Sequence, residues 1–191
     1  MRPVSAAPHT THSLSPFVPS GTGSVRELAA NAARENGAVL RFDYSLDASP
    51  GRIRIPPRRP SLQTDELWKH TCFEAFIAPA TGGDEYRELN FAPSTEWAAY
   101  AFTSYRKGMT RLALPVVPRI EVSEAGSQLT VQSRIGIAGL LPESWRVPGT
   151  KLRIALAAVI EDDGGNVSYW ALRHAPDKPD FHHSAGFILE V

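Results

Sequence analysis

DELWKHTCFEAFI, residues 65–77, is the stretch that decides the fold. Read with a period of two, it sets Phe73, Ala75 and Ile77 on one side of a strand and Trp68, His70, Cys72, Glu74 and Phe76 on the other. The first side is a core face. The second carries an indole, an imidazole, a thiol and a carboxylate, where an ordinary solvated strand would carry Lys, Thr and Ser.

Similar alternation recurs on both sides of this segment. AVLRFDYSL (38–46) sets Leu40, Phe42, Tyr44 and Leu46 against Arg41, Asp43 and Ser45, and RIRIP (52–56) repeats the pattern up to a proline. EYRELNF, WAAYAFTSY, RIEVSE, QLTVQSRIGI, KLRIALAAVIE, VSYWAL and GFILEV follow. Turn material such as Ser49-Pro50-Gly51, Gly82-Gly83-Asp84 and Asp163-Gly164-Gly165-Asn166 separates the strands. Many short strands joined by short turns predict an all-β chain, an antiparallel two-sheet sandwich or barrel.

Residues 24–36 pull two ways. SVRELAANAAREN offers the capping pair Ser24 and Glu27 ahead of an alanine-rich run, which taken alone is a helix, yet it also alternates as a strand. Residues 1–23, rich in Ser, Thr, Pro and Gly, are expected to form a flexible N-terminal arm, with residues 24–191 as the single domain. At 191 residues and 42% hydrophobic content the chain is long enough for one full core.

Lys plus Arg and Asp plus Glu each number 20, so no overall field draws in nucleic acid or an anionic membrane. RIRIPPRRP concentrates Arg52, Arg54, Arg58 and Arg59, but without interleaved aromatics it reads as a solvated loop. One cysteine, Cys72, excludes an intramolecular disulfide framework, and no apolar leader or membrane-length run is present, so a cytoplasmic address is expected.

If the strands in 67–77 and 85–91 are hairpin neighbours, Phe73, Ala75, Ile77, Leu89 and Phe91 share the core face. Trp68, His70, Glu74, Tyr86, Glu88 and Asn90 then share the other, and SYWALRH adds Trp170 and His174, which alternate together. Two indoles with acids and an amide between them suit a saccharide, whose flat C–H patches stack on rings while its hydroxyls bond carboxylates and amides. The candidate ligand-binding residues are therefore Trp68, His70, Glu74, Glu88, Asn90, Trp170 and His174. Trp170 is expected to be a surface platform whose truncation leaves stability within about 1 kcal/mol. The competing reading is a plain solvent face.

LWKHTCFEAFI, YRELNFAPSTEWAAYAFTSYRKGM, AAVIE and YWALRHAPDKPDFHHSAGFILEV, in that order, resemble the DOMON-like domains related to family 9 carbohydrate-binding modules. The resemblance implies an immunoglobulin-like or jelly-roll sandwich that binds a small saccharide or glycoconjugate, with Trp68 and Trp170 as an aromatic clamp and Glu74 and Asn90 bonding hydroxyls. It also implies a strand over part of 24–36, and no catalytic residues.

Three rival chemistries remain open. Haem binding would use Met109 with His174 or His182. A metal would draw on His174, Asp180, His182 and His183, whose spacing fits no standard zinc motif. Glu74 and Glu88 could serve as an acid–base pair in glycoside chemistry, while the same aromatic face could instead dock a protein partner.

Overall fold

Residues 25–35 form a strand in spite of their alanines. In the computed structural model, which describes residues 10–19 and 23–191, strands β1 (His12–Ser13), β2 (Ser15–Pro16), β3 (Val25–Glu35) and β4 (Val39–Ala48) come first. β3 lies antiparallel to β4 with Leu28 opposite Leu46 and Ala30 opposite Tyr44, so its apolar residues fall in step with those of β4. Burial of that face outweighs a helical preference worth only tenths of a kcal/mol per residue.

The remaining strands are β5 (Cys72–Pro79), β6 (Tyr86–Phe91), β7 (Trp97–Phe102), β8 (Thr110–Arg111), β9 (Arg119–Ala125), β10 (Gln128–Gly136), β11 (Leu152–Glu161), β12 (Val167–Ala171) and β13 (Leu189–Glu190). They build two antiparallel sheets. The smaller runs β1-β3-β4-β10-β9, and the larger runs β2-β12-β11-β5-β6-β7-β8, with β13 also on β11. The chain is thus an all-β, two-sheet sandwich.

Between the sheets lie Leu28, Leu40, Phe42, Tyr44 and Leu46 from the smaller, and Phe73, Ile77, Leu89, Phe91, Ile154 and Leu156 from the larger. Each such side chain contributes about 1.5–3 kcal/mol on leaving water. Trp97, Trp145 and Trp170 join this core, each only 4% exposed.

Three expectations are corrected. The loose arm does not hold over residues 12–17: β1 pairs with β3, β2 pairs with β12, and Leu14 between them is buried in the core. This segment stitches the two sheets together, because ladder bonds and one buried leucine offset its ordering cost. Residues 1–9 and 20–22 lie outside the described residues. RIRIP makes a single bridge, Ile53 to Asp162, rather than a strand. Leu67–Lys69 is a 3-10 turn rather than the start of β5, entered through Glu66 in the left-handed region at φ 63°.

Candidate functional site

The outer face of the larger sheet differs from an ordinary solvent face. On β5, β6 and β7 both sides are almost wholly buried, the inner by the core and the outer by a second layer of Phe76, Tyr86, Tyr100 and Phe102. Register fixes who meets whom: Glu74 lies opposite Asn90 on one side and Ala157 on the other, while Phe76 lies between Glu88 and Ala155. On this face, beside Glu74 and Glu88, a hollow of about 470 Å³ opens.

Glu74, Glu88 and Val159 line the hollow from the sheet, Trp68, Phe102, Tyr169 and Phe181 supply rings, and Arg106, Met109, Pro179 and His182 complete it. Trp68 is aimed by its 3-10 turn and held edge-on against Tyr100, with ring centroids 5.9 Å apart. Phe181 and Tyr169 meet edge-to-face at 6.0 Å.

Asp180 holds the loop that carries Phe181 and His182. Its carboxylate takes both Nε and Nη2 of Arg106 (3.2 and 2.8 Å), the Tyr105 hydroxyl and the His182 amide. Burial alone would raise its pKa, but the bonds from Arg106 and Tyr105 hold it down at about 2. Arg106 itself sits at φ 54° in the β7–β8 turn. Two segments far apart in sequence are thereby latched over one end of the hollow.

The carboxyl groups of the hollow are different. Burial, and then the charge of Glu88, push Glu74 well above its ordinary value, and its Oε1 is buried with no hydrogen-bond partner. Burial likewise lifts Glu88 to about 7, although the Asn90 amide donates to it at 2.8 Å. The Tyr86 hydroxyl accepts from the Arg106 amide and shares a hydrogen bond with His182 Nδ1 at 2.7 Å, while His182 Nε2 lies 3.8 Å from Glu88 Oε2. Burial and the Arg106 charge lower His182 to about 4, so the ring is neutral at physiological pH.

Of the seven residues expected from the sequence, Trp68, Glu74 and Glu88 line the hollow. Asn90 is fully buried behind Glu88, where it orients that carboxyl rather than meeting a ligand. Trp170 is a correction: opposite Ala158 in the β11–β12 ladder, it points into the core, and its indole N–H donates to Ser168 Oγ. The ring on the hollow's side is its neighbour Tyr169, opposite Val159. The rings that line the hollow with Trp68 are therefore Phe102, Tyr169 and Phe181, not Trp170.

His70 is also corrected, since it stands exposed with Nδ1 2.8 Å from Glu161 Oε2, away from the residues that line the hollow. His174 bonds the Ser15 carbonyl at 2.7 Å and packs edge-on to Phe17, anchoring β2 instead. The four residues weighed as metal ligands separate in the same way, with His183 accepting from the Ala185 amide. Among the described residues no group of three or more His, Cys, Asp and Glu is arranged to hold a metal ion. Cys72 is fully buried with its thiol pushed up by burial, near Asn90 Oδ1 at 3.8 Å. Arg52, Arg54 and Arg59 pair with Asp163, Glu161 and Glu96, and Arg58 bonds the Val122 carbonyl, so the basic stretch is engaged within the molecule.

Tyr169, Phe102, Arg106 and Phe181 were missed. The alternation of WAAYAF already sets Tyr100 and Phe102 opposite Trp97, a readable signal for Phe102. Arg106 and Phe181 come from turns, where no periodicity speaks.

No family model matches the chain, and no curated protein matches it in sequence. Among solved structures, a candidate carbohydrate-binding protein from Bacteroides uniformis superposes with a TM-score of 0.70 at 14% identity, covering 94% of this chain and 84% of that one. A family 9 carbohydrate-binding module from Caldicellulosiruptor kristjanssonii, in complex with cellotriose, superposes with a TM-score of 0.50 at 10% identity, covering 87% of this chain and 73% of that one. At such identities the similarity is one of fold.

Proposed function

We propose that the chain is a non-catalytic saccharide-binding domain whose ligand lies in the hollow on the outer face of the larger sheet. One observation carries this reading: an aromatic-walled cavity of about 470 Å³ whose floor holds a buried carboxyl oxygen, Oε1 of Glu74, with no partner inside the protein. Such an atom costs about 1–3 kcal/mol unless something supplies a donor. A pyranose supplies several, and its C–H faces suit Trp68, Tyr169 and Phe181. The volume falls in the range of small-ligand sites and suits a mono- or disaccharide. The two neighbours of similar fold, both described as carbohydrate-binding, support the choice. The finer assignment, a DOMON-like domain acting in the cytoplasm on a free sugar or glycoconjugate, belongs to the same proposal.

If each ring covers about 100 Å² of sugar, stacking contributes roughly 2.5 kcal/mol per ring before association costs, which places affinity nearer micromolar than nanomolar. A panel of mono- and disaccharides titrated against tryptophan fluorescence tests the reading. Saturable quenching that disappears in Trp68→Ala supports it, and no response across the panel overturns it.

Two rivals meet the same geometry. A protein-docking module calls for a flat or convex face, and a hollow of about 470 Å³ disfavours one. Haem has a favourable composition, since Met109 and His182 both border the hollow. The fit is poor, however: His182 Nδ1 is taken by Tyr86, its other nitrogen faces Glu88, and the floor sets two carboxyl groups where an apolar macrocycle would lie. An absorbance scan for a Soret band checks this directly.

A further inference from the structure

Resting on the saccharide reading, we infer that the ligand carries a primary amine, and that its ammonium group is held between the carboxyl groups of Glu74 and Glu88. Registration makes these two residues diagonal neighbours on one face of the β5–β6 pair, because Glu74 faces Asn90 while Glu88 faces Phe76. Diagonal neighbours lie about 7–8 Å apart at the backbone, within mutual reach of two glutamate side chains, with room for one small cation between them.

The charges around the pair leave that place open. Glu74 and Glu88 are 4% and 5% exposed, and both line the hollow. On their own strands the neighbours are the Cys72 thiol, the Asn90 amide and the Tyr86 phenol, none of them cationic. From the smaller sheet, the Tyr44 hydroxyl reaches only the Glu74 backbone carbonyl. From the loops come Arg106, His182 and Asp180. The Arg106 charge reaches both carboxyls but its hydrogen bonds go to Asp180 through two nitrogens, Lys178 also pairs with Asp180, and the His182 ring is neutral. Among the described residues, therefore, two acids share a water-poor floor without an uncommitted cation, and one of them has an oxygen bonded to nothing.

A neutral sugar would satisfy that oxygen with a hydroxyl donor but would leave the acids repelling each other or protonated. An ammonium group supplies three donors and the missing charge together. The aromatic walls suit it as well, since a cation over Trp68 or Tyr169 meets the negative face of the ring. Binding then displaces the proton that burial keeps on the carboxyl pair, with no other change of bonding.

The test is calorimetric titration with D-glucosamine, D-glucose and N-acetyl-D-glucosamine at about pH 7, in two buffers of different ionisation enthalpy. The expected result is D-glucosamine at least about tenfold tighter than D-glucose, N-acetyl-D-glucosamine without that advantage, and protons released on binding the amine. In Glu74→Gln and Glu88→Gln, each checked for folding by circular dichroism, the ratio between amine and neutral sugar falls toward one. Glucose binding as tightly as glucosamine, or a preference that survives both substitutions, overturns the inference and leaves the saccharide reading standing. If none of the three sugars binds while another of the saccharide panel does, the inference falls alone; no binding by any of them overturns both.

Discussion

Replacing Glu88 with glutamine is expected to stabilise the protein at neutral pH while changing little in acid. Burial raises this carboxyl from 4.5 to about 7, against the pull of the Asn90 hydrogen bond and the Arg106 charge. In the unfolded chain the group ionises near its ordinary value; in the folded chain it keeps its proton to about 7. Between those limits the folded state binds more protons, so stability falls as pH rises through the interval. An interval of that width corresponds to about 3 kcal/mol. Because Glu74 titrates with it, a single substitution recovers somewhat less, about 2 kcal/mol.

His182 works in the opposite direction. Its ring is lowered from 6.5 to about 4 by burial and Arg106, so its contribution is fully present above the ordinary histidine value and is lost as pH falls toward 4. The pH profile of the wild-type protein is therefore a partial cancellation. The informative quantity is the difference between Glu88→Gln and wild type, measured by urea unfolding followed by tryptophan fluorescence at several values from about pH 4 to about pH 8. That difference should grow by about 2 kcal/mol toward the alkaline end. A difference that stays level across the range would refute the claim that Glu88 holds a proton in the folded state, and with it the picture of a cation-deficient floor.

Trp170→Ala should cost about 3–5 kcal/mol in urea unfolding, as for any large core ring, while Trp68→Ala should cost about 1 kcal/mol and abolish sugar-dependent quenching; equal losses would mean the two indoles are not on opposite sides of the sheet. Tyr169→Ala should weaken saccharide binding by up to about seventyfold, through the roughly 2.5 kcal/mol of one lost stacking face, and the fluorescence titration reads it. Asp180→Asn should destabilise by about 2 kcal/mol at neutral pH, and the difference from wild type should vanish as pH falls from 3.8 toward about 2, where the native carboxylate takes its proton. Cys72 should resist a thiol reagent in the native protein and react at the rate of unfolding in urea, because its buried thiol is both inaccessible and protonated.

The two-sheet architecture was legible because most strands carry a two-residue rhythm, and the β5–β6 pairing followed from matching Phe73 and Ala75 with Phe91 and Leu89. The same rhythm brought Glu74 and Glu88 to one face. It failed at the ends of strands. Trp68 and His70 were counted in phase with β5, yet the chain turns through a 3-10 segment before the strand begins, which leaves Trp68 at the hollow and sends His70 to Glu161. His12 to Phe17, read as loose, are held by pairings to strands that no local pattern announces.

By itself the sequence determined which residues travel together: in VSYWAL, Ser168 with Trp170 and Tyr169 with Ala171. Which of those sets enters the core was decided only by the tertiary structure, where Trp170 falls opposite Ala158 and Tyr169 opposite Val159. Alternation has two equal phases, and both sides of this sheet are covered by apolar layers, so hydrophobicity alone does not choose between them. The hollow itself is completed by turn residues: Arg106 bonds Asp180 twice, and the loop that Asp180 holds brings Phe181 and His182 to line it.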